Sequence, residues 1–289
     1  MAKNTTSLAL ALCLTMPLIG CVATIEPRYV IDSETYQATG KSERIKFIIL
    51  HYTVSDNERS IKLLTTGNVS AHYLILSDDD DKIYSLVPES ERAWHAGNGE
   101  FAGRTILNDT SIGIEIVNDG IKPEYRKALK QGVQDYHPYG HYVEFDELQI
   151  KKVAQLVQDL ALKYKISPKD IIGHSDMAPS RKTDPGAKFP WQRLYEQYGI
   201  GAWYDEQDKQ FFMNQDEFDA ATIPEIKQEF RDYGYRINDT NTWDKKSHDV
   251  IYAFQLHFSP QHLTATMDLE TYAILKALNK KYAGTDNFY

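Results

Sequence analysis

The chain has 289 residues, 42% of them apolar and 25% charged, with a formal charge of −9 at pH 7 and two cysteines. That length and apolar share suit two packed domains, and the acidic balance without basic clusters excludes nucleic acid as an expected partner. Cys13 and Cys21 are too few and too close to the N-terminus to build a disulfide framework.

Lys3, the apolar stretch Leu8–Ile19 and then Leu18-Ile19-Gly20-Cys21 have the layout of a secretory signal peptide over residues 1–20. The stretch is short for a bilayer span, and Cys21 stands where bacterial lipoproteins, which this segment resembles, are cleaved and lipidated. The expectation is a lipid-anchored chain, with an ordinary secreted protein carrying a stray cysteine as the alternative. Loss of Lys3 would take the charge from −9 to −10, and acylation of Cys21 would leave no free thiol. Residues 21–44 lack hydrophobic periodicity and read as a lipidated N-terminus and tether.

From Ile45 onward, β-rich runs alternate with helical ones. Ile45–Leu50, Ala71–Leu76, Lys82–Val87, Ile112–Val117 and Asp170–Ile172 read as strands. Asp146 with Gln149 three positions on reads as a capped helix start, followed by an apolar face of Val153, Leu156, Val157, Leu160, Ala161 and Tyr164. Residues 45–200 are therefore expected to form an α/β domain with a mixed central β-sheet flanked by helices. Gly199-Ile200-Gly201 marks a boundary, and helical patterns near 206–214, 223–233, 246–258 and 269–280 predict a small all-α domain over 201–289. The aspartate run Asp78–Asp81 lies between two strand patterns and reads as a solvated turn, because it lacks the spaced ligands and glycine of a calcium loop.

The loop from Gly173 to Gly186 holds His174 and Asp184 and is stiffened by Pro179 and Pro185. His51 follows the apolar run Phe47-Ile48-Ile49-Leu50, which reads as a buried strand ending at a sheet's carboxyl edge. Two imidazoles and one carboxylate suit a divalent ion with an open fourth position. Zinc is one candidate and non-haem iron the other. Glu115 alternates with Ile112, Ile114 and Ile116, so it points away from the isoleucine face, either to solvent or to a metal site as a general base. Lys182 is two residues before Asp184 and in an extended loop would share its direction, as a stabiliser of negative charge or as a solvated lysine. His72, Trp94 and His95 are candidates for substrate contact or for core packing. His137 and His141 have helical ligand spacing, but Pro138 and Gly140 between them predict a loop. His257, on an apolar helix, reads as packing or glycan contact; His248 and His262 lack metal-ligand company.

His51-Tyr52-Thr53, Ser70-Ala71-His72-Tyr73-Leu74-Ile75, Trp94-His95-Ala96-Gly97, Ser111-Ile112-Gly113-Ile114-Glu115 and the Gly173–Gly186 loop, in that order, resemble the zinc-dependent N-acetylmuramoyl-L-alanine amidases related to peptidoglycan recognition proteins, and within them the branch of anchored lipoproteins. Val250–Phe258 and Met267–Thr271 resemble the repeat of peptidoglycan-binding domains. The resemblance implies one zinc ion on His51, His174 and Asp184, proton handling by Glu115, and oxyanion stabilisation by Lys182. It further implies hydrolysis of the amide between N-acetylmuramic acid and L-alanine in peptidoglycan or its muropeptide fragments. Val22 after the lipidated cysteine implies, by family analogy, anchoring at Cys21 to the inner face of the outer membrane, in the periplasm; a monomer is expected. A non-catalytic wall tether and a zinc peptidase cutting within the stem are the competing readings.

Overall fold

The computed structural model describes residues 29–78, 80–126 and 136–284. The signal segment 1–20 and Cys21 lie outside the described residues. The chain forms two compact units, Met1–Lys41 and Ser42–Tyr289. In the first, residues 29–41 are exposed throughout, and the Asp32 carboxylate accepts hydrogen bonds from the amides of Glu34 and Thr35.

In the second unit the elements follow in the order β1 (Phe47–Tyr52), α1 (Asn57–Thr66), β2 (Tyr73–Ile75), β3 (Tyr84–Ser85), β4 (Glu100–Phe101), β5 (Arg104–Thr105), β6 (Ser111–Ile116), α2 (Pro123–Arg126), α3 (Glu147–Tyr164), β7 (Ile171–Gly173) and α4 (His174–Met177). Then come α5 (Trp191–Tyr198), α6 (Glu206–Phe212), α7 (Gln215–Ala220), α8 (Ile223–Tyr233), α9 (Lys245–Phe258) and α10 (Leu269–Tyr282). Five strands form one mixed sheet in the order β3-β2-β6-β1-β7. β2, β6, β1 and β7 pair in parallel, and β3 adds an antiparallel edge. β1 is buried at every position, as a continuous apolar run in the middle of a parallel sheet must be.

Helix α3 begins with the expected capping box: the Asp146 amide donates to Gln149 Oε1 at 3.1 Å, which satisfies a donor the helix itself cannot. Its buried face includes Ile150, Val153, Val157 and Leu160, each contributing roughly 1.5–3 kcal/mol relative to exposure. Helix α1 has no counterpart among the predicted elements, because only Ser60 and Leu64 of its ten residues are buried and no apolar stripe announces it. Its start is fixed instead by Asp56, whose side chain accepts from the Arg59 amide at 2.9 Å. The β4–β5 hairpin has two residues per strand, too few for an alternation to register. The helix expected near 206–214 is α6, and a further helix without a predicted counterpart, α7, starts after Asn214, whose side chain accepts from the amides of Asp216 and Glu217.

The regular elements among the described residues after 200 are helices, apart from an isolated bridge between Tyr235 and Phe101. They share one buried cluster with the sheet, since Ile226, Phe230, Val250 and Phe254 belong to the same core as Ile48, Phe101 and Val153. Packing is therefore continuous across residue 200 within Ser42–Tyr289. No described helix is long and apolar enough to cross a membrane.

Candidate metal centre

The strand register brings the site together. His51 pairs with Glu115 across β1 and β6, and residues paired in register project to the same face. On the other side of β1, Leu50 pairs with Gly173, so the next residue on each strand places His174 beside His51. Glu115, His51 and His174 thus stand in a row at the carboxyl ends of three adjacent parallel strands, where the chain leaves the sheet and ligands bind in α/β folds. The return of the loop is tied by the Ser175 amide, which donates to the Asp184 carbonyl at 2.9 Å.

Three atoms converge: His51 Nδ1 lies 2.9 Å from His174 Nδ1, and each lies 3.0 Å from Asp184 Oδ2. All three residues are buried, and among the described residues this is the one such group of metal-ligating side chains. The protons of both rings are assigned by what lies behind them. His174 Nε2 faces the Ala96 carbonyl at 2.9 Å and must donate to it. Ser111 donates its hydroxyl proton to the Leu107 carbonyl at 2.6 Å, so its oxygen accepts from His95 Nε2 at 3.2 Å. His95 Nδ1 is then a lone pair, and His51 Nε2 donates to it at 3.1 Å. Both Nδ1 atoms are left as lone pairs aimed at each other and at a carboxylate oxygen.

Three acceptors facing one point repel unless a cation stands between them. Zinc bonds of roughly 2.0–2.1 Å in tetrahedral array need ligand atoms about 3.3 Å apart, close to the spacing found. Burial and the neighbouring His174 push the His51 imidazole down to about 4, so it is neutral at pH 7 as a metal ligand must be. Burial alone would raise the Asp184 carboxyl, but His174 and His51 override it and hold it well below the usual carboxylate range. The residues present fit a divalent metal.

Glu115 completes the row as a half-buried acid with one carboxyl oxygen out of reach of solvent. Burial raises its carboxyl to about 8, with the Asp184 charge adding to the effect and the Lys182 charge opposing it. Its Oε2 is buried without a hydrogen-bond partner, as expected for a group whose partner is a water or a substrate. Lys182 is half-buried, and its charge acts on both Glu115 and His51.

Of the two readings open for His72 and His95, substrate contact or core packing, their burial agrees with packing. His72 is fully buried, accepting from the Gly113 amide at 3.0 Å and facing the Glu91 carbonyl at 3.2 Å. His95 stands behind His51, with both nitrogens engaged by His51 and Ser111. Gly113 makes room for it, since a Cβ at that position would lie 2.3 Å from the His95 ring. Trp94, by contrast, is 56% exposed with the Arg92 guanidinium 4.4 Å from its ring centre. His137 and His141 lie in and beside a short 3₁₀ turn, and His141 stacks on Tyr125 at 3.6 Å.

Sequence reasoning missed three participants: Ser111, which orients His95; Arg181, which donates to the carbonyls of Ala96 at 2.8 Å and Asn98 at 2.7 Å; and Asp176, buried behind His174. Ser111 and Asp176 lie in quoted motifs, but their partners come from distant segments.

A mixed sheet carries at its carboxyl edge a His-His-Asp cluster that could hold a metal ion, and the model of the N-acetylmuramoyl-L-alanine amidase family matches residues 41–187. The chain belongs to that family, and within it is of the AmiD type. It is similar to N-acetylmuramoyl-L-alanine amidase AmiD of Escherichia coli (strain K12), 37% identical over 280 residues that cover 92% of this chain and 94% of that one. The crystal structure of AmpDH3 from Pseudomonas aeruginosa aligns with TM-score 0.77 and 39% identity over 88% of this chain and 99% of its own. AmiD from E. coli in complex with the substrate anhydro-N-acetylmuramic acid-L-Ala-D-gamma-Glu-L-Lys aligns with TM-score 0.72 and 37% identity over 86% of this chain and 93% of its own.

Proposed function

We propose that this chain hydrolyses the amide joining N-acetylmuramic acid to L-alanine, with one zinc ion held by His51 Nδ1, His174 Nδ1 and Asp184. The observation that carries the reading is the convergence of three lone pairs beside a Glu115 carboxyl oxygen, Oε2, that is buried without a hydrogen-bond partner. Zinc is favoured over iron because the fourth position needs only water, and nothing else at the site points to redox chemistry. A zinc ion there supplies a Lewis acid and lowers the pKa of its water to about 7.

Glu115 Oε2 would accept the proton of a water attacking the lactyl carbonyl carbon, with His51, His174 and Asp184 as the residues that would hold the metal beside it. The carbonyl oxygen gains negative charge, and the Lys182 ammonium, whose field already reaches Glu115, stabilises it. Glu115 then returns its proton to the alanine nitrogen as the C–N bond breaks, which leaves a lactyl carboxylate on the sugar and a free amine on the stem. Without metal, burial raises the Glu115 carboxyl to about 8; a cation beside it would favour the charged form and so the base that the first half of the exchange needs. Trp94 offers an exposed face for the glycan–peptide chain.

The proposed substrates are peptidoglycan and its muropeptide fragments, because the solved relatives hold anhydromuramyl peptides. Residues 201–289 are proposed as a peptidoglycan-binding region, and Cys21 as a lipid anchor that holds a monomeric chain at the inner face of the outer membrane, in the periplasm. The anchor predicts that Cys21→Ala releases the chain from the membrane fraction.

The deciding experiment incubates purified muropeptides with the chain beginning after Cys21, with zinc and then with chelator, and reads product masses. Release of a stem beginning at L-alanine, lost on chelation and restored by zinc, is expected. Cleavage within the stem would establish a peptidase, and binding without cleavage a tether.

A further inference from the structure

The Asp176 carboxylate is 1% exposed and has no part in holding the metal or in the reaction described above. It sits two residues past His174, and its three hydrogen bonds come from two parts of the chain. Oδ2 accepts from the Gly173 amide at 2.7 Å, the link between β7 and the first turn of α4. The same oxygen accepts from His257 Nδ1 at 2.8 Å, and Oδ1 accepts from the Tyr235 hydroxyl at 2.5 Å. His257 is on α9 and Tyr235 directly follows α8, both in the segment proposed to bind the wall. His257 is itself fixed, stacked between Trp191 and Phe258 with ring centres 3.9 Å from each.

We infer that Tyr235 and His257 are positioning residues for the amidase reaction: through Asp176 they hold the β7–α4 junction so that His174 Nδ1 points at the metal. The reason is geometric. α4 is a four-residue turn, too short to hold its own shape, and its first residue carries a metal ligand. The turn is fixed at Asp176, at the Ala96 carbonyl that receives His174 Nε2 and at the Ser175 amide bonded to the Asp184 carbonyl, and of these only Asp176 ties it to the C-terminal helices. Since ligand orientation depends on the partners behind the ligand, the C-terminal helices act on metal affinity and turnover as well as on any wall binding.

The inference rests on the proposed zinc site, and its test separates the two. Zinc dissociation constants are measured by competition with a chelating dye for wild type, Tyr235→Phe, His257→Leu and His257→Asn. The same proteins are assayed for kcat and KM on a small soluble muramyl-peptide and for pelleting with insoluble wall. Tyr235→Phe removes a single oxygen, and His257→Asn keeps a donor near the Nδ1 position. Tyr235→Phe and His257→Leu are expected to weaken zinc binding about tenfold or more and to lower kcat with KM and pelleting unchanged, while His257→Asn recovers most of both. If wild type binds no zinc, the zinc site itself is refuted. If wild type binds and folded Tyr235→Phe binds and turns over equally well, the positioning role is refuted; should His257→Leu fail to fold, Tyr235→Phe decides alone. Loss of pelleting in step with activity would also overturn it.

Discussion

Glu115→Gln in the chelated protein tests the buried carboxyl without reference to catalysis. An ordinary glutamate in the unfolded chain releases its proton near 4.5, whereas in the fold burial keeps the Glu115 proton until about 8. Because the folded value is the higher, the stability this group contributes is full below about 4.5 and is lost as pH rises toward 8. The gap between the two values, at about 1.36 kcal/mol per pH unit, amounts to about 5 kcal/mol. His51, pushed down to about 4, tilts stability the opposite way as pH rises from about 4 to 6.5, so the pH profile of the wild type alone would hide the effect. The informative quantity is the difference between variant and wild type in urea unfolding at a series of pH values from 4 to 9, with metal removed. Glutamine has no proton to lose, so the variant's relative stability should climb by about 5 kcal/mol across that range. With zinc bound, a cation beside the carboxyl favours its charged form and the climb should shrink. A difference that stays level within about 1 kcal/mol in the chelated proteins would refute the assignment of Glu115 as a buried, desolvated acid.

Three further outcomes follow from the geometry. Gly113→Ala drives a methyl group to 2.3 Å from the His95 ring and should cost about 1–3 kcal/mol in urea unfolding; an unchanged midpoint would show that His95 is free to move aside. Ser111→Ala removes the acceptor that sets the His95 tautomer, and zinc affinity measured by dye competition should fall about tenfold; equal affinity would break the proton assignment of His51. Trp94→Ala should raise KM for muropeptides at nearly constant kcat and shift unfolding by no more than about 0.5 kcal/mol, since the ring is 56% exposed; a change in kcat alone would place Trp94 outside substrate binding.

The sheet and its outward row were legible because they follow from periodicity. A run such as Phe47–Leu50 has to be a buried strand, and alternation in Ser111–Ile116 decides which way Glu115 points. The helices after residue 200 were legible for the same reason, except the six-residue α7, which starts at the Asn214 cap and buries no residue. Helix α1 was hidden because almost nothing in it is buried. For His72 and His95 the sequence left two readings open, because an imidazole beside an aromatic residue reads the same whether it faces a groove or a core. Gly113 carried the missing signal: an alternating strand gives up a side chain only where another group needs the space. The Asp176–His257 bond spans 81 positions and joins two patterns with no shared period, which a single sequence does not encode locally.

The common core on either side of residue 200 also bears on inheritance. Phe101 packs edge-on against Tyr235 at 5.5 Å, and Trp191 stacks on His257 at 3.9 Å. The Tyr142 hydroxyl meets that of Tyr252 at 2.7 Å. A gene shortened to end at 200 would encode a sheet whose aromatic flank is stripped of its cover, a surface that invites aggregation. Exchanging the helical part for an unrelated binding module would expose the same flank. In this chain the two segments are therefore expected to be gained, lost and recombined as one unit.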